Sequence, residues 1–224
     1  MHHGRRHLGH IAVGLAAKKA APKAPLVWLV AAPTLADLIW PVLLALGLEE
    51  VRIAPGITAV TPLDFVKYPI SHSLLLLTVW GVITAGFYFA ARNDRTGAAV
   101  VGALVVSHWV LDWVSHRPDM PLTPWPGPKV GLGLWNSVPA TLLVEGVMFV
   151  AGVWIYSRTT EARDATGRWA FASFVSVLAV IYVANVFGPP PPSVGVLNAF
   201  AFSGFLLPVW AAWFDRHRTA RIPA

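Results

Sequence analysis

Six apolar runs, each long enough to cross a bilayer as a helix, are separated in this chain by short segments that cannot continue one. A helical span needs about 20 mostly apolar residues, and the runs cover residues 26–48, 73–91, 97–116, 138–156, 170–187 and 194–214. Pro55-Gly56, the proline-rich stretch from Pro118 to Pro128, and Gly188 followed by Pro189, Pro190, Pro191 and Pro192 interrupt the pattern. Proline removes a helical donor and clashes with the preceding turn. Only 12% of residues are charged and 56% are hydrophobic, against about a quarter charged in a soluble domain. The expected fold is therefore all-α: a polytopic transmembrane helical bundle of about six spans, with a short N-terminal helix over residues 8–17.

The distribution of Lys and Arg sets an orientation. Of the seventeen, Arg52, Lys67, Arg117 and Lys129 fall on one side and the other thirteen on the opposite side. Positive charge concentrates on cytoplasmic loops, so both termini are expected to be cytoplasmic. The same bias accounts for the net charge of +6 without a nucleic-acid partner. The chain reads as a single integral-membrane domain: a basic N-terminal segment (1–25), the bundle (26–214) and a basic tail (215–224). With no cysteine, any metal must rest on His, Asp and Glu, which favours zinc or a harder divalent ion.

Ionisable side chains inside apolar spans are costly and mark functional sites. Asp37 lies in the first span, His72 at the start of the second, His108, Asp112 and His116 in the third, and Glu145 in the fourth. His108, Asp112 and His116 share one helical face at i, i+4 and i+8. Because the outer pair would be roughly 12 Å apart along a continuous helix, they can meet at one centre only if the helix breaks before His116; otherwise two metals are needed. The orientation places these groups and Glu145 at one depth, with Asp37 near mid-membrane. His10 can join them only if residues 8–17 dip inward while Lys18 and Lys19 stay at the interface. His2, His3, His7 and His217, in basic polar ends, are expected to be solvated.

The run from Ser107 to Leu122, with His108-x3-Asp112-x3-His116-x-Pro118-Asp119, resembles the signature of the YdjM-like family of bacterial inner-membrane proteins, described as metal-dependent hydrolases. Gly9-His10 with Gly14-Leu15, Ala36-Asp37-Leu38 and Pro69-Ile70-Ser71-His72-Ser73 extend the resemblance over slightly more than half the chain. A more distant similarity in residue order runs to zinc-dependent phospholipases C, whose N-terminal Trp ligand has no counterpart here.

The resemblance implies a bacterial inner-membrane hydrolase with one or two divalent ions, most simply zinc, held by His72, His108, Asp112, His116, Asp37 and His10. The expected substrate is a membrane lipid or lipid-linked phosphoester. Asp112, Glu145 or Asp119 would serve catalysis, and Arg117 and Trp125, at the outer interface, would contact substrate. The alternative expectation is a metal or proton transporter using the same intramembrane cluster.

Overall fold

The computed structural model describes residues 8–221; Arg5, Arg6, His2, His3 and His7 lie outside the described residues. The chain is a helical bundle with helices α1 (Leu8–Ala16), α2 (Leu26–Ala31), α3 (Leu35–Ala45), α4 (Pro69–His72), α5 (Leu74–Arg92), α6 (Arg95–Ser115), α7 (Val138–Thr159), α8 (Ala165–Phe187), α9 (Val194–Phe202) and α10 (Leu206–Arg216). α5, α6, α7, α8 and the continuous stretch Val194–Arg216 are each long and apolar enough to cross a membrane. α6 is the most enclosed, with 44% of its apolar window buried against 17–28% in the other four. It is the central helix, and the others turn most of their apolar surface outward, as lipid contact requires.

The first expected span is not one helix. Pro33 splits it into α2 and α3, since its ring cannot donate to the preceding turn. The Thr34 hydroxyl donates to the Val30 carbonyl oxygen at 2.8 Å, which satisfies one of the groups exposed by the break. The final span also bends, at a 3-10 turn over Ser203–Phe205.

α1 is a buried inner element of the bundle. Seven of its nine residues, His10 among them, are buried. Gly14 and Gly152 permit this: a Cβ at Gly14 would strike the Leu29 carbonyl oxygen, and one at Gly152 would lie 2.7 Å from Ala12 Cα. Gly9 neighbours Met148 and Ala12 neighbours Gly152, so α1 and α7 run parallel. α1 thus leads from the level of Glu145 toward the bundle end that carries Lys18, a direction that the Lys and Arg distribution did not convey.

Short antiparallel strand pairs finish the two ends. One end carries β1 (Glu50–Ile53) with β2 (Leu63–Lys67) and β3 (Met120–Pro121) with β4 (Lys129–Val130). The other carries β5 (Thr160–Ala162) with β6 (Arg218–Ala220). At this second end, Lys18 Nζ contacts Asp215 Oδ2 at 2.9 Å, and Tyr156 donates to Asp215 Oδ1 at 2.8 Å.

Candidate metal centre

α6 ends at Ser115 for a local reason. Arg117 precedes Pro118, which disfavours helical geometry at Arg117, and His116 adopts an extended conformation (φ −69°, ψ 150°). The last carbonyls of α6 are taken up by the segment after β4: Leu132 N–H donates to Trp113 O at 2.8 Å and Gly133 N–H to His116 O at 2.7 Å. Gly133 has φ +74°, a value that suits glycine. Released from the helix, His116 turns back so that Nε2 lies 3.7 Å from Asp112 Oδ2.

Asp112 sits at the centre. Its Oδ2 lies 3.1 Å from His108 Nε2, 3.8 Å from His72 Nε2 and 3.7 Å from His116 Nε2, while Oδ1 faces His10 Nε2 at 3.3 Å. His72 Nε2 is also 3.8 Å from Asp37 Oδ1. Among the described residues, two groups have ligand atoms mutually within 4.8 Å: His10, His108 and Asp112; and Asp37, His72 and His108. The four histidines and Asp112 are buried, whereas the Asp37 side chain is 30% exposed and forms the open edge of the cluster.

Three of the histidines are fixed from behind through Nδ1. His108 Nδ1 lies 2.8 Å from the Pro33 carbonyl oxygen. His116 Nδ1 lies 2.9 Å from Asp119 Oδ1, to which the Tyr68 hydroxyl also donates at 3.0 Å. His72 Nδ1 lies 2.6 Å from the Ser71 hydroxyl, which donates to Glu49 Oε2 at 2.6 Å. Glu49 Oε1 in turn accepts from the backbone N–H groups of Ile70 and Ser71. A carbonyl or carboxylate behind Nδ1 places the proton there and leaves Nε2 as a lone-pair donor toward the centre, the usual arrangement behind metal-bound histidine. His108 Nε2 and Asp112 Oδ1 are buried without a well-directed hydrogen bond. Such orphaned atoms are costly unless something positive stands between them, so the residues fit a divalent cation.

The remaining predicted residues occupy other positions. Glu145, buried on α7, faces Trp135 and Tyr182 and belongs to neither three-residue group. Asp119 stands behind His116. Burial pushes its carboxyl up, but hydrogen bonds from His116, Tyr68 and Arg117 outweigh this and hold it below the ordinary aspartate value. Arg117 is engaged with Asp119 and Asp64. Trp125 is 66% exposed and does not line the cavity beside the cluster; Trp135 does, with its ring 4.3 Å from that of His116. Sequence reasoning also missed Glu49, Ser71, Tyr68 and the Pro33 carbonyl.

The cavity encloses about 50 Å³ within a cleft of about 810 Å³ counted out to its open mouth. The enclosed part has room for a few waters. Its lining combines Asp37, His72, Asp112 and His116 with the apolar Leu38, Trp40, Leu197, Ala201 and Leu207 and with Gly204. The chain is thus a multi-pass membrane protein with a buried His/Asp cluster compatible with metal binding. No family model, curated protein or solved structure matches it.

Proposed function

We propose that this protein is a metal-dependent hydrolase of membrane lipids or lipid-linked phosphoesters. The observation that carries this reading is one buried carboxylate, Asp112, faced by the Nε2 atoms of four histidines beside a half-open cleft. The resemblance of residues 107–122 to the YdjM-like signature supports it, as does the oriented Nδ1 set, which serves a tightly held ion.

His10, His72, His108, Asp112 and His116 would hold the ion. When bound, a divalent cation supplies Lewis-acid polarisation and a water more acidic than bulk. Asp37, the exposed acid of the cluster, is the proton acceptor. The attacking water's oxygen bonds to phosphorus as the ester oxygen leaves, the water's proton passes to Asp37, and solvent at the mouth protonates the leaving oxygen. Asp119 and Glu49 act through His116 and His72 as positioning residues. Glu145 supports the Trp135 wall.

Elemental analysis of purified protein, with release of a labelled head group from lipid in detergent, tests the reading. The expected result is bound divalent metal and metal-dependent release. A transporter needs a polar route to the opposite end, yet the α1 side chains buried between His10 and Lys18 are Ile11, Ala12 and Leu15. Ion flux in proteoliposomes without lipid cleavage would establish transport instead.

A further inference from the structure

We infer that the cleft between α3 and the α9–α10 bend holds the hydrocarbon chain of a bilayer lipid while its polar head reaches the histidine cluster, and that Ala201 and Gly204 set the room for that chain. The polar part of this ligand's identity rests on the hydrolase reading; the hydrocarbon part rests on the cleft itself.

The same cleft has two kinds of lining: the polar Asp37, His72, Asp112, His116 and Thr34, and a second, apolar wall that includes Leu38, Trp40, Leu197, Ala201, Gly204 and Leu207. A free phosphoester or inorganic ion has no use for that second wall, whereas an amphiphile matches both parts. Leu197, Ala201, Gly204 and Leu207 belong to the candidate span Val194–Arg216, and Leu38 and Trp40 to α3. Phe202 and Phe205, next to Ala201 and Gly204 in the chain, are exposed, with stacked rings 6.3 Å apart. The small residues fall where the helix tightens into its 3-10 turn at Ser203–Phe205. Both residues line the cleft, so side-chain volume added at Ala201 is added at its wall.

The absence of cysteine from the chain permits a test on already folded protein. Full-length Ala201→Cys is purified with metal and then alkylated with a long-chain thiol reagent; Phe202→Cys, whose side chain faces outward, receives the same label. A spin-labelled long-chain phospholipid reports binding, and short-chain and long-chain phosphoesters report turnover. Alkylated Ala201→Cys is expected to keep its metal and short-chain turnover, while immobilised spin-labelled lipid and long-chain turnover fall by about tenfold. Alkylated Phe202→Cys should match wild type. Unchanged lipid immobilisation in alkylated Ala201→Cys would overturn the chain-binding role, even if hydrolysis is confirmed. If no ester of either length is cleaved but the lipid signal is lost on alkylation, the cleft assignment stands and the hydrolase reading falls.

Discussion

His108 Nδ1 meets the Pro33 carbonyl oxygen at 2.8 Å, joining the central helix to the break in the first span. Proline interrupts α2 and α3, and one consequence is a backbone acceptor turned toward α6. That acceptor selects the histidine tautomer whose Nε2 faces Asp112. The broken span is therefore part of the centre's construction, since an unbroken helix would spend the same carbonyl on its own ladder.

His108→Ala and Asp112→Asn should each purify with little or no divalent metal, because each removes an atom from the middle of the cluster. Asp37→Asn should retain metal while losing most turnover. Elemental analysis of the three proteins beside wild type makes the comparison. Full metal content in both His108→Ala and Asp112→Asn would place the ion elsewhere.

Ser71→Ala removes the hydroxyl linking Glu49 to His72 and leaves every proposed ligand in place. Loss of an outer hydrogen-bond partner typically weakens metal affinity by about 10–100-fold, and that is the expected change in a chelator competition. Thermal stability in the metal-loaded state should fall much less than in Glu49→Ala, which also strips the acceptor from the Ile70 and Ser71 backbone N–H groups.

The sequence made the bundle and the core of the site readable, for identifiable reasons. His108 and Asp112 are four apart on an apolar helix, where no bland pattern hides them, and Pro118 marks the break that lets His116 turn back. His10 was harder, because α1 has nine residues and its burial depends on glycines in contact with distant backbone. The backing groups were harder still. Glu49 stands beyond the first apolar run, Ser71 looks like one more polar residue before a span, and a backbone carbonyl has no sequence signal at all. Trp125 lies within the proline-rich stretch and Trp135 just after it, and packing against His116 is what distinguishes them.

At the basic end, Asp94 and Asp164 cap α6 and α8, accepting from Gly97 N–H at 3.0 Å and Gly167 N–H at 2.8 Å. The Gly97 hydrogen bond holds the Asp94 carboxyl below its ordinary value, and the His217 and Gly167 hydrogen bonds do so for Asp164. A lowered folded-state value means that the caps stabilise fully above the ordinary aspartate pKa of about 4 and lose that contribution as pH falls through the folded values. Thermal unfolding followed across acidic pH should therefore show a shallower acid loss in an Asp94→Asn/Asp164→Asn double variant than in wild type. Parallel acid limbs would show that the caps contribute nothing.

Gly152→Val should displace α1. Glycine to a side chain inside a helix normally gains up to about 1 kcal/mol, but here the new Cβ lies against the Ala12 backbone. Overpacking of this kind costs about 1–3 kcal/mol. Since α1 carries His10, the variant should lose metal affinity together with stability. Gly146→Val, where an added Cβ meets nothing within 4 Å, is the control on the same helix and should keep metal affinity with stability unchanged or slightly raised.

Lys18 and Asp215 form a buried pair, with side chains 7% and 12% exposed, that ties the turn after α1 to the end of α10. Lys18 also donates to the Ala24 carbonyl oxygen at 2.9 Å, and Asp215 accepts from Leu26 N–H at 3.1 Å. Removing one partner strands the other charge in an apolar setting, so Lys18→Met or Asp215→Leu should each destabilise by about 3–5 kcal/mol. The double variant leaves no charge unpaired and should be less destabilised than the sum of the two. Unfolding measured in one detergent for the four proteins gives the coupling directly. Simple additivity would mean that the pair does not hold α1 in place.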